Sequence, residues 1–328
     1  MIPLATFKKR ILIIGHTGQD GSLLRESIED QGGEVFGVSS SGTYPQSIPG
    51  CPADWVVGEP ESVRKFILAL RPDEIYYLAA HHTSSEGRLE LLRLEAYVRS
   101  HEVHVLGLLN VLDTVSLYVP FCRIFYAASS LVFDGEQGEI QDELSPFSPT
   151  DFYGMTKAQG VWLCREFRKK RGLFVSVGIL YNHESKYRPA HFLSQKIVRS
   201  AARISAGSPE MLQLGNLGAR VDWGFAGDYV IAFQEILKLS KADDFIIASG
   251  EAHSVQEFAE LSFDRFGLDW RNHTVQSQVV LTRQLKTRIG NTRKLKETSG
   301  WQPTLDFPGL IDNLVKAEQA RLSGLQNS

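Results

Sequence analysis

Short apolar segments alternate with amphipathic segments along the first 180 residues of the chain. The apolar segments are rich in β-branched and aromatic residues and predict buried strands, and the segments between them have the spacing of helices. The predicted strands are Ile11–Ile14, Glu34–Val38, Ala53–Val57, Glu74–Ala80, Cys122–Ala128 and Phe174–Leu180. The predicted helices are one that carries Leu23, Leu24 and Ile28, followed by Ser62–Leu70, Glu86–Leu117 and Asp151–Lys170. This alternation predicts an α/β fold with a doubly wound parallel Rossmann sheet.

The alternation becomes less regular after Tyr181. There the pattern predicts helices at Phe192–Ser205, Asp228–Leu239, Val255–Phe266 and about 307–322, strands at Met211–Leu214 and Phe245–Ala248, and irregular structure at Asp222–Gly224. We expect residues 1–180 to form a dinucleotide-binding Rossmann domain to which part of 215–255 returns. Residues 181–328 should form mainly a smaller, interleaved C-terminal substrate domain.

The first predicted strand runs directly into a glycine-rich turn and a helix. Gly15 permits a sharp turn, Gly18 permits close approach of a pyrophosphate, and Gly21 permits close packing of the helix on the strand. The free N–H groups at the start of such a helix bind phosphates. A strand, a glycine turn and a helix in this order predict a dinucleotide site, although the spacing G-x-x-G-x-x-G is one residue wider than the usual fingerprint.

The end of the second predicted strand indicates which nicotinamide cofactor is bound. An acidic residue at this place favours NAD and a nearby arginine favours NADP. The chain has Ser39, Ser40 and Ser41 there instead. Without a carboxylate to repel a 2′-phosphate, and with hydroxyl groups to donate to it, we expect NADP(H) rather than NAD(H).

Three residues have the pattern of an acid–base site for redox chemistry at a hydroxyl or carbonyl group. Tyr153 and Lys157 lie four residues apart at the start of a predicted helix and therefore share a face. A lysine ammonium beside a phenol lowers the pKa of the phenol, which can then exchange a proton while a nicotinamide exchanges a hydride. Ser129 follows a predicted strand and can hold the same substrate oxygen.

Composition limits the remaining classes of function. The net charge of −3 gives no basic surface for nucleic acid. The three cysteines form no C-x-x-C pair, His81-His82 and the H-E-V-H sequence at His101–His104 lack the further ligands of a metal site, and no apolar run is long enough to span a membrane. We expect a soluble cytoplasmic protein without a metal site, a membrane partner or a nucleic-acid partner.

Together, these motifs resemble those of the extended short-chain dehydrogenase/reductases, and among them most closely the GDP-mannose 4,6-dehydratase family. The resemblance extends from about residue 10 to residue 305. It is carried by GHTGQDGSLL, PDEIYYLAA, SPFSPTDFYGMTKAQG, GILYNHES, LGNLGARVDWGFAGDYV and IGNTRKLKETSGW.

The resemblance implies a nucleotide-sugar substrate, with GDP as the expected nucleotide, and a homodimer or homotetramer. It implies catalytic roles for Ser129, Tyr153 and Lys157. The implied cofactor-binding residues are Gly15, Thr17, Gly18, Gln19, Asp20, Gly21, Ser39, Ser40, Leu78, Ala79, Ala80, Tyr153 and Lys157. The implied substrate-binding residues are His82, Ser130, Asn182, His183, Glu184, Lys196, Asn216, Arg220 and Arg283, with Arg288 as an alternative to Arg283.

The chain departs from the family pattern at four places. Leu131 stands where the family has a glutamate two residues after its catalytic Ser/Thr, and Ser39–Ser41 replace arginines that bind the 2′-phosphate. Val56 stands where an aspartate is expected near the adenine, and His104 replaces the usual asparagine of the long helix. We therefore expect redox at C4 of a nucleoside-diphosphate sugar by a 4-keto reductase or an epimerase. The alternatives are a true GDP-mannose 4,6-dehydratase and a catalytically silent subunit that binds nucleotide sugars.

Overall fold

A seven-stranded sheet forms the centre of the protein in the computed structural model, which describes residues 8–52, 55–81, 93–135, 138–277 and 286–326. Its strands are β1 (Arg10–Ile14), β2 (Glu34–Ser39), β3 (Gly42–Tyr44), β4 (Glu74–Tyr77), β5 (Arg123–Ala127), β7 (Val175–Leu180) and β11 (Asp244–Ile247), with β6 (Ile140–Gln141), β8 (Asn182–Glu184), β9 (Leu212–Leu214) and β10 (Arg220–Phe225) in smaller sheets. The order is β11-β7-β5-β4-β1-β2-β3, and all pairs are parallel except β2–β3. The predicted doubly wound parallel sheet is confirmed.

Helices cover both faces of this sheet. The α-helices in the described residues are α1 (Gln19–Asp30), α2 (Pro60–Leu70), α3 (Arg93–His101), α4 (Leu108–Tyr118), α5 (Phe152–Arg171), α6 (Leu193–Ser205), α7 (Ala226–Lys238), α8 (Val255–Asp264), α9 (Arg293–Ser299) and α10 (Phe307–Gln326). Apolar residues of α2, α4 and α5 form the core on one face, and those of α1, α7 and α9 form the core on the other. Because β1, β2, β4 and β5 are parallel, their carboxyl ends lie at the same edge of the sheet. Ligands bind at this edge in this class of fold.

A third apolar core lies beside the sheet. It is built from α6, α8 and α10 and includes Trp223 of β10 and Phe307. The other strands are β12 (Ala252–Ser254), β13 (Thr274–Gln276) and β14 (Ile289–Gly290), and they complete a three-stranded sheet β12-β10-β8 and the pairs β13–β9 and β14–β6. Ser254 and Glu257 form a capping box that fixes the start of α8.

Three predicted elements differ in the structure. Residues 55–57 form no strand: Trp55 packs edge-on against Phe66 at 5.1 Å, so the apolar character of this segment reflects packing as a loop. The segment Asp222–Gly224, which was predicted to be irregular, is part of β10. The Asp222 carboxylate can be buried in this strand because it accepts hydrogen bonds from the backbone N–H groups of Ser249 and Gly290.

The long helix predicted for Glu86–Leu117 is interrupted. Of this range, residues 86–92 lie outside the described part of the chain, and α3 and α4 are joined by a π-helical turn over Glu102–Gly107. Periodicity alone does not reveal such a turn, because the apolar positions continue on both sides of it.

Candidate active site

The glycine turn lies at the carboxyl edge of the sheet, between β1 and α1. Gly15 has a φ of +97°, and a Cβ there would lie 2.7 Å from the backbone nitrogen of Ala79. A Cβ on Gly21 would lie 2.3 Å from the carbonyl oxygen of Gly15. Both positions therefore require glycine, for the turn and for the close packing of α1 that the sequence predicted.

The start of α1 is open towards this edge. Gly18 is the N-cap, and no side chain in the described part of the protein caps the first turn. A Cβ on Gly18 would meet only the Gly15 carbonyl oxygen, at 3.4 Å, and Thr17 is exposed beside it. The backbone of Leu78–Ala80 continues from β4 along the same edge, with the N–H of Leu78 bonded to the carbonyl of Ile14. These residues form a cradle of the kind that holds a pyrophosphate at a helix N-terminus.

Gln19 and Asp20 bind another part of the protein. The amide group of Gln19 donates to the carbonyl of His183 at 3.0 Å and accepts from the hydroxyl of Ser185 at 2.9 Å. The Nε2 of His183 lies 2.9 Å from a carboxylate oxygen of Asp20. The structure thus links the predicted cofactor residues Gln19 and Asp20 to the predicted substrate residue His183.

The buried His183 and the half-buried Asp20 form a charged pair. Burial alone would lower the pKa of His183, but the Asp20 carboxylate outweighs burial and raises it. Burial alone would raise the pKa of Asp20, but the charge and hydrogen bond of His183 lower it. The pair therefore stabilises the fold between the folded-state pKa of Asp20 and that of His183: this stability is lost as the pH falls through the first or rises through the second.

The end of β2 carries the predicted 2′-phosphate residues. The hydroxyl groups of Ser39 and Ser41 are 2.9 Å apart, and Ser40 is exposed next to them. His16 is buried below, with Nε2 3.5 Å from the Ser39 hydroxyl. The guanidinium of Arg25 is stacked 4.5 Å above the Tyr44 ring of the adjacent strand β3. This corner of the sheet therefore combines hydroxyl groups with a nearby cation.

The three predicted catalytic residues belong to two elements at the same edge. Ser129 follows β5, and its hydroxyl accepts a hydrogen bond from the Leu131 N–H at 3.2 Å, which caps a short 3-10 turn over Ser130–Val132. Tyr153 and Lys157 lie in the first two turns of α5, whose start is fixed by the Asp151 carboxylate bonded to the Gly154 N–H. Lys157 is buried and donates to the carbonyl of Ala127, at the end of β5, at 2.7 Å.

The pKa values of the pair differ from the sequence expectation. Burial raises the pKa of the Tyr153 phenol, and the nearby Arg188 counteracts part of this increase. Burial lowers the pKa of the Lys157 ammonium to about 7, against the opposing charge of Asp20. The prediction that Lys157 lowers the pKa of Tyr153 is wrong for this geometry, because the Lys157 nitrogen is bonded to Ala127 and lies 5.8 Å from the centroid of the Tyr153 ring.

Leu131 lies directly against the helix turn that carries Tyr153. A Cβ on Gly154 would lie only 2.2 Å from the carbonyl oxygen of Leu131, so α5 begins in contact with the 3-10 turn. Gly154 is therefore required for this close packing. Position 131, where the family has a glutamate, consequently belongs to the immediate surroundings of the candidate catalytic residues.

The predicted substrate residues differ in accessibility. Asn182, Asn216 and Arg220 are exposed, Lys196 is half-buried, and Ser130 is buried in the 3-10 turn. The Asn216 side chain accepts from the Gly218 N–H at 3.0 Å, and Arg220 donates to the carbonyl of Ala252 at 2.8 Å. His82 and Arg283 lie outside the described residues.

Glu184 and Arg188 have roles that the sequence pattern did not suggest. Glu184 is buried, accepts from the Ser194 hydroxyl at 2.5 Å and lies 3.3 Å from the guanidinium of Arg188. Arg188, which was not predicted as a site residue, is the cation that opposes part of the rise that burial causes in the pKa of Tyr153. Its position 35 residues after the tyrosine gives no sequence signal, because the two residues meet only through the fold.

Within the described ranges, no three His, Cys, Asp or Glu side chains are grouped in a way that would hold a metal ion. No helix in those ranges is long and apolar enough to cross a membrane.

The parallel sheet with the glycine turn between β1 and α1 is the fold of the extended short-chain dehydrogenase/reductases. Solved structures share this fold. RMD from Pseudomonas aeruginosa complexed with NADPH is 22% identical with a TM-score of 0.77, covering 96% of this chain and 100% of that one. The dTDP-glucose 4,6-dehydratase of Bacillus anthracis in complex with NAD is 19% identical with a TM-score of 0.79, covering 96% and 98%.

Sequence comparison identifies the family. The family model described as GDP-mannose 4,6 dehydratase matches residues 12–314. The human GDP-mannose 4,6 dehydratase is 34% identical over 342 residues, which cover 94% of this chain and 90% of the relative. The chain therefore belongs to the GDP-mannose 4,6-dehydratase family, and the resemblance inferred from its motifs is confirmed.

Proposed function

We propose that the protein catalyses redox at C4 of a nucleoside-diphosphate sugar, with GDP as the nucleotide, and acts as a 4-keto sugar reductase or an epimerase. The single observation that carries this proposal is the apolar Leu131 beside an otherwise complete Ser129, Tyr153 and Lys157 set. The set supports oxidation and reduction at a hydroxyl or carbonyl carbon. Leucine supplies no proton for the further elimination that a dehydratase performs.

The residues of the glycine turn fit a nicotinamide dinucleotide. Gly15 and Gly21 exclude side chains, Gly18 leaves space before the start of α1, and the free N–H groups there suit a pyrophosphate. We propose that residues 1–180, with part of 215–255, form the dinucleotide domain and that 181–328 form mainly the substrate domain. The neighbouring structures with NADPH and with NAD support a nicotinamide cofactor for this chain.

In the proposed mechanism the nicotinamide supplies or accepts the hydride. Tyr153 gives a proton to the C4 oxygen of the sugar during reduction and takes it during oxidation, and the Ser129 hydroxyl donates a hydrogen bond to the same oxygen. Lys157 holds the first turns of α5 against the end of β5 through its bond to Ala127. Arg188 favours the ionised form of Tyr153, which is the form left after proton donation.

Supplying a GDP-4-keto-6-deoxy sugar together with NADPH tests the reductase proposal. We expect NADPH to be consumed in proportion to a product in which mass spectrometry finds two added hydrogens. The epimerase alternative needs a different substrate, because C4 of a 4-keto sugar is not a stereocentre. A GDP-hexose with a 4-hydroxyl group and a catalytic amount of NADP⁺ should then give an isomer of equal mass without net consumption of cofactor. Formation of neither product from the 4-keto and the 4-hydroxyl sugar nucleotides would contradict the proposed function.

A second candidate is a true GDP-mannose 4,6-dehydratase. The observation in its favour is the identity of 34% to the human enzyme of that name over nearly the full length. The discriminating substrate is GDP-mannose itself.

We further propose NADP(H) as the cofactor. Ser39–Ser41 present no carboxylate to a 2′-phosphate, and the guanidinium of Arg25 lies near this corner. Titration of the protein with NADPH and NADH should give the lower Kd for NADPH. The variant Ser39→Asp should raise the Kd for NADPH about tenfold or more, because it brings a like charge to the 2′-phosphate. It should lower the Kd for NADH, because a carboxylate at this place accepts a hydrogen bond from the ribose 2′-hydroxyl. Tighter binding of NADH by the unaltered protein would contradict the proposal.

We also propose that the protein is a homodimer or a homotetramer. Apolar side chains are exposed on neighbouring parts of α3 and α5, with Leu94 73% and Trp162 53% accessible, and Val98 and Met155 are exposed as well. Exposed apolar side chains on two neighbouring helices are typical of protein–protein contacts. Light scattering at micromolar concentration should give at least twice the chain mass of 36.7 kDa. Leu94→Glu combined with Trp162→Glu should reduce the particle to that chain mass, and a monomeric unaltered protein would contradict the proposal.

A further inference from the structure

The π-helical turn over Glu102–Gly107 is stabilised by its surroundings. A π turn breaks the regular hydrogen-bonding of an α-helix and often occurs at functional sites. Here the buried phenol of Tyr77 donates to the carbonyl of Val103. A Cβ on Gly107 would lie 2.6 Å from the same phenol oxygen, so a glycine is needed at that position. The turn is therefore fixed by packing, and it carries His104.

His104 is completely buried, and both of its ring nitrogens are hydrogen bonded. The backbone N–H of His81 lies 3.0 Å from Nε2. Because a backbone N–H can only donate, Nε2 must be the unprotonated nitrogen and the ring proton is on Nδ1. Nδ1 in turn lies 2.8 Å from the hydroxyl of Thr156 and donates to it.

Two contacts connect His104 with Tyr153. The Thr156 hydroxyl, which accepts from His104, donates to the carbonyl of Tyr153 at 3.0 Å. The rings of His104 and Tyr153 also pack edge to face, with their centroids 5.1 Å apart and an interplanar angle of 88°. At the other end, the Ser100 hydroxyl donates to the carbonyl of His81 at 3.2 Å. His104 thus joins the backbone after β4 to the first turn of α5.

We propose that His104 is a positioning residue: as a neutral imidazole bridge it sets the distance between the backbone after β4, which faces the cofactor edge, and the ring of Tyr153. This inference rests on the proposed role of Tyr153 as the acid–base group. His104 does not replace the proton carrier missing at Leu131, because it is buried and its single ring proton is held by Thr156.

Two substitutions of His104 each remove one of its two hydrogen bonds and keep the other. In His104→Asn the amide occupies the place of Nδ1, so it keeps a donor for Thr156 and loses the acceptor for the His81 N–H. In His104→Gln the longer side chain places its oxygen near Nε2, so it keeps the His81 contact and loses Thr156. We expect kcat for the 4-keto sugar nucleotide to fall about 10- to 100-fold in His104→Gln, since misplacement by an ångström can cost that much. We expect His104→Asn to keep kcat within about threefold and to raise KM for the cofactor.

Substitutions of Thr156 test the same link without altering the histidine. Thr156→Ser keeps a hydroxyl that accepts from His104 and donates to Tyr153, and it should keep kcat. Thr156→Val keeps the shape but not the hydrogen bonds and should lower kcat like His104→Gln. His101→Asn, on the preceding turn of the same helix, is the matched control and should behave as the unaltered protein. Wild-type kcat in both His104→Gln and Thr156→Val would overturn the proposal.

A measurement that needs no substrate separates this proposal from the proposed function. Hydrogen exchange should become at least tenfold faster at the peptide containing the His81 amide in His104→Asn, and at the first turn of α5 in His104→Gln. A protein without turnover on 4-keto sugar nucleotides would contradict the proposed function only. The exchange rates in the two variants would then still test whether His104 links the two segments. Exchange unchanged from wild type at both peptides in both variants would overturn the bridge.

Discussion

Replacing Tyr153 with Phe is expected to lower kcat for the 4-keto sugar nucleotide by a factor of about 10² to 10⁴, which is the usual contribution of a positioned acid–base group. The substitution removes one oxygen atom and leaves the ring that packs against His104. The glycine turn lies on a different element, so the Kd for NADPH should change by less than about twofold. Stopped-flow kinetics and cofactor titration measure the two quantities on the same preparation.

The control for this variant is Tyr118→Phe, which removes the same atom from an exposed tyrosine at the end of α4. The control should keep the wild-type kcat and the wild-type Kd. A Tyr153→Phe protein with unchanged kcat would show that the phenol takes no part in the proton transfer, and the proposed mechanism would fail with it.

The sequence predicted the parallel sheet because its strands are fully buried. Residues Ile11–Ile14 and Val175–Leu180 face helices on both sides, so they are buried at every position and almost entirely apolar, with Ser176 as the polar exception. Trp55 and Val57 look similar in sequence but pack against the core from a loop. A local pattern records burial and does not record whether the buried backbone pairs with another strand.

The candidate site was predictable only in part, because motifs identify residues and not their partners. The structural roles of Gly15 and Gly21 could be predicted from the sequence, because close backbone contact at these positions excludes every other residue. The Lys157 bond to Ala127 and the His183 pair with Asp20 join segments distant in sequence, and no spacing rule encodes them. The hydrophobic pattern likewise does not predict the π-helical turn that brings His104 against Tyr153.

The second large effect is the expected absence of 4,6-dehydration. That reaction removes a hydride from C4 and a proton from the C4 hydroxyl. It then removes a proton from C5 and expels the C6 hydroxyl as water, and finally the hydride returns to C6 while a proton returns to C5. Tyr153 and Ser129 serve the first step, but the elimination needs a second proton carrier near C5 and C6. Leu131 carries no titratable group, and it stands against the turn that holds Tyr153. Losing such a carrier costs a factor of about 10² to 10⁴ in rate, so elimination should be negligible beside redox at C4.

Incubating the protein with GDP-mannose and a catalytic amount of NADP⁺ tests this expectation, with mass spectrometry following the loss of one water. We expect no product from the unaltered protein and a measurable trace from Leu131→Glu, since a carboxyl group at this position restores a proton carrier to the half-buried site. Leu131→Gln is the matched control, because its amide has nearly the same shape as the carboxyl group and cannot exchange the proton. Rapid formation of a GDP-4-keto-6-deoxy sugar by the unaltered protein would show that another group, such as the side chain of His81, supplies the proton, and the protein would then be a dehydratase despite Leu131.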